Sequence, residues 1–272
     1  MTTASEYVLG HASPELERLQ LQAQIIGRVT RRLIRESGIA PGLRVLEIGC
    51  GAGDVSLLLA EAVGPDGRVV AFDREARAIE TARSRTAAAG FTNIEFLVAA
   101  DEAMPTDASF DAAFGRYVLI HQPDPVAMIR RAAQAVRPGG IVAFHEVALH
   151  VESQTHPPFA LSREIDRCVS NSFRTLLPHH DVGGRFFSCF AAAGLPPPQI
   201  IWESVVADHT SPVWRWVAMN YHSMLPHIVR IGLNPVEEAD VDALAARLQA
   251  AAAEVGAQFV SRPQSCAWSR RI

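Results

Sequence analysis

A glycine-rich loop lies where a short apolar strand is predicted to end and a helix to begin: Glu47-Ile48-Gly49-Cys50-Gly51-Ala52-Gly53. Glycine lets a backbone approach a ligand closely, and the first turn of a helix offers N–H groups that have no partner within the helix. In an open parallel sheet, ligands bind at this carboxyl edge of the strands. Glu47 is an acid within an apolar strand, a costly position unless its carboxyl group binds something. The loop therefore predicts a ligand site.

The loop departs from the fingerprint of dinucleotide-binding proteins. The residue that would complete a G-x-G-x-x-G pattern is Asp54, so the sequence disfavours a nicotinamide cofactor. Asp73 ends the next predicted strand, twenty residues beyond Gly53. A carboxylate at that place can accept hydrogen bonds from both hydroxyls of a ribose. We therefore expect a ligand that carries a ribose.

The elements that position these residues alternate along the first half of the chain. Five apolar segments are predicted as strands: 43–48, 68–72, 94–98, 110–114 and 141–147. Helices are predicted before and between them: from Ser13 to Gly38, about 54–63, 75–89 and 124–136. This alternation is typical of right-handed crossovers and of a parallel sheet with helices on both faces.

The alternation ends after residue 148. The second half is predicted to add helices near 159–177, over 182–193, after Ser211-Pro212 and after Asn234-Pro235. Two further strands are predicted there, at Ile200 to Val206 and at Ser265 to Ser269. Because no repeat or low-complexity linker interrupts the chain, these elements are interpreted as insertions on one domain.

The ordered segments of the first half resemble the class I S-adenosylmethionine-dependent methyltransferases. The matching segments span about residues 43–147: Val45 to Gly53, Val70 to Asp73, Ala100-Asp101-Glu102, Phe110-Asp111 and Val136 to Gly140. Arg116 to Pro125 looks like the branch that includes ubiquinone-biosynthesis C-methyltransferases, and Tyr7-Val8-Leu9-Gly10 looks like bacterial small-molecule members. The resemblance implies a Rossmann-like α/β fold, with a seven-stranded, mostly parallel sheet and helical lid insertions.

The resemblance also implies cofactor-binding roles in the glycine-rich loop. Glu47 would orient the loop or the ammonium of the methionine portion. The backbone of Gly49, Cys50, Gly51 and Gly53 would face that portion of S-adenosylmethionine.

Further roles follow from the resemblance at the ends of the later strands. Asp73 would bind the ribose hydroxyls, and Arg74 would stack beside the adenine. Asp101 would accept a hydrogen bond from the adenine amino group, with Glu102 close by. Arg116 would lie near the methionine portion.

The methyl group of a sulfonium is already activated, so the protein must align donor and acceptor and exclude water. A base is needed only where the acceptor carries a proton at the moment of attack. His121 and Glu146 are the candidate bases, because they lie at the carboxyl ends of strands four and five. The alternatives are that His121 caps a turn and that Glu146 is a solvated strand end. Tyr117 and Tyr7 are expected to shape the pocket or contact the cofactor.

Composition excludes several other classes of chemistry. The net charge of −4 gives no electrostatic reason to expect nucleic acid as a partner. All 25 basic residues are arginine, which excludes Schiff bases and a phosphate-binding P-loop lysine. The four cysteines are scattered and the histidines lack metal-ligand spacing, so neither disulfides nor a metal are expected. No apolar run approaches a membrane span and no signal peptide is recognised, which predicts a cytoplasmic protein.

We expect one methyltransferase domain over residues 1–272. Its predicted parts are an N-terminal helical arm (1–40), a cofactor-binding core (41–148) and helical lid or substrate insertions (149–185 and 207–256). Aromatic residues in the insertions favour an apolar, planar acceptor, and lid helices suggest a homodimer by analogy. The predicted function is methyl transfer from S-adenosylmethionine to a small molecule, such as a secondary metabolite. The alternatives are a different S-adenosylmethionine-dependent reaction, such as cyclisation or elimination, and a non-catalytic cofactor-binding regulator.

Overall fold

The computed structural model describes residues 13–236 and 240–272. Contacts divide the chain into two compact units. The sheet unit comprises Gly27–Ala148, His179–Glu203 and Gln264–Ile272. The helical unit comprises the described residues up to Ile26, together with Leu149–Pro178 and Ser204–Pro263. Tyr7 lies outside the described residues, and its contact with the cofactor stays a prediction.

Seven strands form the sheet of the sheet unit: β1 (Arg44–Ile48), β2 (Arg68–Asp73), β3 (Ile94–Val98), β4 (Phe110–Arg116), β5 (Val136–Val147), β7 (Gln199–Glu203) and β10 (Gln264–Arg270). Their order is β3-β2-β1-β4-β5-β10-β7. The first five strands in this order pair in parallel, whereas β10 is antiparallel to both of its neighbours. The predicted seven-stranded, mostly parallel sheet is therefore confirmed.

The helices that accompany the sheet begin and end at residues whose chemistry favours a helix boundary. They are α1 (Ser13–Ser37, whose second half belongs to this unit), α2 (Asp54–Val63), α3 (Ala76–Ala88), α4 (Pro125–Ala135) and α6 (Phe186–Ala192). Gly53 precedes α2 in a left-handed conformation. Pro125 opens α4, where the Asp124 side chain accepts a hydrogen bond from the Ala127 N–H.

Both faces of the sheet are covered. Successive residues of β1 from Val45 to Ile48 are all buried, which requires packing on each side. On one face, α1, α2 and α3 pack through residues such as Val29, Leu59 and Ile79. This covering leaves the carboxyl ends of the parallel strands as the edge from which the loops of the predicted site emerge.

The helical unit has its own small sheet and core. Its three strands, β6 (Gln154–His156), β8 (Val206–Ala207) and β9 (Gln258–Val260), are antiparallel. Its helices are α5 (Ala160–Leu176), α7 (Val213–Arg230) and α8 (Val241–Val255). Trp214, Tyr221, Leu248 and Phe259 are buried together in its core.

Several predicted elements are wrong in their bounds. Strand β5 begins at Val136 and not at residue 141, and helix α6 begins at Phe186 and not at residue 182. The strand expected from Ile200 to Val206 divides into β7 and β8, which belong to different sheets. The division follows from Val205, whose backbone N–H donates to Ser261 Oγ and whose carbonyl accepts from the Ser261 N–H, both at 2.9 Å. The helix expected after Asn234-Pro235 begins at Val241, because Asp240 caps it by accepting hydrogen bonds from two backbone N–H groups.

No helix among residues 13–236 and 240–272 is both long enough and apolar enough to cross a bilayer.

Candidate functional site

The three glycines of the glycine-rich loop all have positive φ angles, of 64° at Gly49, 53° at Gly51 and 83° at Gly53. A Cβ at Gly49 would lie 3.0 Å from Val118 Cγ2, and one at Gly53 would lie 3.0 Å from Ala82 Cβ. A Cβ at Gly51 would meet no atom of the described residues within 4 Å. Close packing therefore explains the outer glycines, whereas the middle one faces open space that a ligand can occupy.

The Asp73 carboxylate is tied to the same loop. Its Oδ2 accepts a hydrogen bond from the Gly51 N–H, and its Oδ1 accepts one from the Glu75 N–H, each at 2.9 Å. Each carboxylate oxygen has a second lone pair that can accept from a hydroxyl group. Asp73 therefore holds the loop in place and retains the capacity to bind the two hydroxyls of a ribose.

The Glu47 side chain is buried at the carboxyl end of β1, with 2% of its surface exposed. The Ser56 hydroxyl donates to Glu47 Oε2 at 2.5 Å. Burial raises the pKa of Glu47 to about 8, although the Ser56 hydrogen bond and the positive charge of Arg116 oppose that rise. An additional cation beside this carboxyl group would favour its ionised form. Its chemistry fits an ammonium group.

Strand β3, which pairs with β2, ends in an exposed apolar side chain beside Asp73. Val98 closes β3 opposite Asp73 and is 53% exposed. Asp101 follows it at the start of a short 3₁₀ turn and is half-buried. Arg74 is half-exposed, with its Nε 3.9 Å from Glu75 Oε1. The apolar surface of Val98 suits the face of a purine, while the side chain of Glu102 lies outside what the structure describes.

Glu146 is fully buried, so the alternative of a solvated strand end is wrong. Its Oε1 accepts hydrogen bonds from the backbone N–H groups of Val118 at 2.9 Å and Leu119 at 2.7 Å. Its Oε2 has no hydrogen-bond partner among the described residues. Burial raises the pKa of Glu146 to about 8. Glu146 therefore fixes the turn whose Val118 packs against Gly49.

His121 ends that turn, a 3₁₀ segment over Leu119–His121, and is half-buried. Burial, aided by the positive charge of Arg74, lowers the pKa of His121 to about 4. The imidazole is accordingly neutral near pH 7 and can accept a proton.

Arg116 ends β4, the strand beside β1, and Tyr117 follows it; both contact buried polar residues. Arg116 Nη1 donates to Thr30 Oγ1 at 3.4 Å, and Tyr117 donates from its hydroxyl to Gln264 Oε1 at 2.5 Å. His145 lies between Thr30 and Gln264, 3.1 Å from an oxygen of each. Nothing in the local sequence marks Thr30 or Gln264, because they come from distant parts of the chain.

Cys50 contributes its backbone to the loop. Its thiol is not a candidate nucleophile, because burial raises the pKa of the thiol above its usual value. Its N–H donates to the Phe72 carbonyl at 3.0 Å, which links the loop to β2. Among the described residues, no group of three or more His, Cys, Asp or Glu side chains is arranged to hold a metal ion.

The site therefore gathers Glu47, Asp73 and Arg116 at one edge of the sheet. Register places Ile48 of β1 opposite Phe72 of β2 and Gly115 of β4, so the loops that follow these strands are neighbours. Together they can bind a ligand that combines a cationic group with a ribose. The predicted roles of the individual residues stay predictions.

Residues 39–178, just over half of the chain, match the family described as "Methyltransferase domain". A demethylmenaquinone methyltransferase of Lactococcus lactis is 31% identical over 118 residues, which cover 43% of this chain and 47% of that protein. The aklanonic acid methyltransferase DauC of a Streptomyces species is 39% identical over 115 residues, covering 42% of this chain and 52% of that protein. The chain thus spans about half the length of these relatives.

Solved structures support the fold. An S-adenosylmethionine-dependent methyltransferase from Aquifex aeolicus aligns with a TM-score of 0.52 and 16% identity, covering 70% of this chain and 93% of that one. The YcgJ protein of Bacillus subtilis aligns with a TM-score of 0.58 and 18% identity, covering 90% of this chain and 99% of that one. At these identities the likeness concerns architecture alone.

Proposed function

The chain belongs to the methyltransferase domain family, and from that premise we propose that it transfers a methyl group from S-adenosylmethionine to a small-molecule acceptor. The observation that carries the proposal is the glycine-rich loop. Gly51 faces open space there, and the Asp73 carboxylate accepts a hydrogen bond from the Gly51 N–H. The cofactor supplies a methyl group already activated by a positively charged sulfur. The protein's tasks are to bind, to align and to exclude water.

Each described residue near the loop has a task in this proposal. Glu47 binds the ammonium, because a buried carboxyl group of raised pKa gains most from a cationic neighbour. Asp73 binds the ribose hydroxyls, and Val98 and Asp101 receive the adenine face and its amino group. Arg116 faces the carboxylate end of the methionine portion, where its charge also restrains the pKa of Glu47.

We assign the proton-accepting role to His121 wherever the acceptor must lose a proton. Its imidazole is neutral near pH 7, whereas Glu146 is fully buried and already binds two backbone N–H groups through Oε1. Glu146 was the second candidate base from sequence. Its burial favours a supporting task, which is to hold the turn that presents His121.

The acceptor is proposed to be a small, largely apolar metabolite. The two relatives named above act on demethylmenaquinone and aklanonic acid, which supports an organic acceptor for this chain as well. In the helical unit, Thr155 Oγ1 and Trp216 Nε1 are buried and find no hydrogen-bond partner among the described residues, whereas Trp214 Nε1 donates to the Asp208 carbonyl. We propose that the helical segments 149–185 and 207–256 act as the insertions that select the substrate.

We further propose a cytoplasmic homodimer that acts without nucleic acid. The net charge of −4 supports the last point, because polyanions are repelled by an acidic protein. Light scattering of purified protein tests the dimer directly, and a monomeric mass at working concentration would rule it out.

The experiment for the proposed function uses S-adenosylmethionine with an isotopically labelled methyl group and an extract of small metabolites. We expect binding of the cofactor by calorimetry and a labelled product whose mass has risen by one methyl group. A product of altered structure without the label would instead support cyclisation or elimination. Cofactor binding without any turnover would support a regulator.

A further inference from the structure

A buried chain of hydrogen bonds joins α1, β4, β5 and β10 within the sheet unit. It runs from Arg116 through Thr30, His145 and Gln264 to Tyr117. Thr30 and His145 have no exposed surface, and Gln264 is 1% exposed. Buried polar groups of this kind are costly unless each is satisfied, so the arrangement of their protons is determined by the contacts.

The donor and the acceptor can be assigned in each hydrogen bond of this hydrogen-bond chain. Gln264 Oε1 only accepts, so His145 Nε2 and the Tyr117 hydroxyl both donate to it. His145 Nδ1 then lacks a proton and must accept from the Thr30 hydroxyl. The lone pairs of Thr30 remain for the guanidinium of Arg116, which can only donate.

This assignment requires a neutral His145. A cationic imidazole would direct a second N–H at Thr30, which already faces the positive charge of Arg116. Burial and Arg116 lower the pKa of His145 to about 3, in agreement with that requirement. The hydrogen-bond chain therefore keeps the same donors and acceptors over the whole physiological pH range.

Arg116 and Tyr117, the two ends of the hydrogen-bond chain, lie at the proposed site. Arg116 is close enough to Glu47 to lower the pKa of its carboxyl group by charge. Tyr117 has a φ angle of 57°, which a residue with a bulky side chain rarely adopts. Its N–H donates to the His145 carbonyl at 2.9 Å, and its ring meets the His145 ring edge-on at 5.6 Å. Such an over-determined, strained residue is typical of functional sites.

We propose that Thr30, His145 and Gln264 are positioning residues that align Arg116 on the cofactor side and Tyr117 on the acceptor side through one shared network. The proposal rests on the proposed function, since the cofactor is taken to lie beside Glu47 and Arg116. It adds residues to the site that touch neither reactant. The Arg116 guanidinium loses its fixed orientation when any member of the hydrogen-bond chain is removed.

The test measures the affinity of S-adenosylmethionine by calorimetry for Thr30→Val, Gln264→Met and the double variant. We expect each single variant to weaken binding by roughly tenfold. The double variant should bind no more weakly than Thr30→Val, because both substitutions interrupt the same network and their effects therefore do not add. Thr30→Ser, which keeps the hydroxyl group, should bind like the wild type. Ser269→Ala is the matched control, because it removes a similar hydrogen bond from β10, to the Pro196 carbonyl at 3.0 Å, outside the chain.

Losses that multiply in the double variant, or affinities equal to that of the wild type, would overturn the proposal. Nitrogen NMR of the histidine rings reads the network without any ligand: His145 should show the Nε2–H tautomer and no titration between pH 5 and 8. A titrating His145 would also overturn it. A wild-type protein that binds no S-adenosylmethionine but shows the expected tautomer would contradict the proposed function and leave the hydrogen-bond chain intact.

Discussion

Asp73 and Gly51 are joined by a hydrogen bond of 2.9 Å from the glycine N–H to the carboxylate Oδ2. The acid at the end of β2 thus fixes the middle of the glycine-rich loop, which follows β1. The geometry of the loop and the proposed binding of the ribose therefore depend on the same side chain.

Asp73→Ala should weaken S-adenosylmethionine binding by roughly 10- to 100-fold, the range for losing hydrogen bonds to a charged group. Calorimetry measures this directly. Asp111→Ala is a matched control, since Asp111 also accepts from a backbone N–H, that of Arg44 at 2.8 Å, but begins β4 at the opposite edge of the sheet. Equal affinities for the two variants would refute the role given to Asp73.

Gly51→Ala should impair binding more than folding. Its Cβ would project into the open space assigned to the ligand, while the positive φ angle costs about 1 kcal/mol of stability. Gly90→Ala carries a similar backbone cost at a φ angle of 81°, also without a nearby atom among the described residues, but lies after α3. We expect similar melting temperatures for both variants and lost cofactor affinity for Gly51→Ala alone. Full affinity in Gly51→Ala would place the ligand elsewhere.

The free energy of unfolding of the ligand-free protein should fall as pH rises from about 6.5 to 8. Below about pH 6.5 the fall is offset, because His121 and His145 are neutral in the folded state and gain protons on unfolding. The folded state keeps protons on Glu47 and Glu146, whose pKa values are raised to about 8, while the unfolded state has released them. The stability that these groups add is complete below the unfolded pKa and is lost as pH rises through the folded pKa, at about 1.4 kcal/mol per pH unit for each group.

Denaturant titrations from pH 6.5 to 8.5 measure that slope. Glu47→Gln should reduce it, and saturating S-adenosylmethionine should reduce it in the wild type, because a bound ammonium favours the ionised carboxylate. A slope that Glu47→Gln leaves unchanged would contradict the raised pKa.

His121→Gln should lower kcat by roughly 10²- to 10⁴-fold for an acceptor that must be deprotonated, with cofactor affinity retained. In the wild type the acidic limb of the kcat/KM profile should lie near pH 4, where His121 gains its proton. His179→Ala serves as the control, because His179 is also half-buried and contacts the Pro123 carbonyl in the same region at 3.1 Å, but has no task in the proposed reaction. An unchanged kcat in His121→Gln would exclude the base.

Local signals determined much of the fold. The helix α2 begins and ends where the sequence predicts, because Gly53 and Gly64 bracket a short apolar run. The confirmed sheet follows from the same alternation of strands and helices. The short strands β6 and β9, by contrast, have three residues each and pair only with distant segments, so no periodicity could indicate them.

The candidate site divides in the same way. Glu47 and Asp73 stand in a recognisable order with the glycines, and the structure places them at one edge. Thr30 and Gln264 could not be selected, because their importance depends on contacts across 115 and 119 residues of chain, respectively, to His145. The sequence indicates that Glu146 lies at the end of a strand, but its burial arises from tertiary packing that a single strand does not reveal.

The place of β10 in the sheet has a consequence for biosynthesis. This strand lies between β5 and β7, although both of them precede it in the chain. While the ribosome has yet to release residues 264–270, β10 cannot join β5 to β7, and the Tyr117 hydroxyl has no Gln264 Oε1 to accept its hydrogen bond. A nascent chain can thus form the glycine-rich loop early, whereas the contact between Tyr117 and Gln264 forms only after this strand has been synthesised and inserted, so translation itself delays the closing of the sheet.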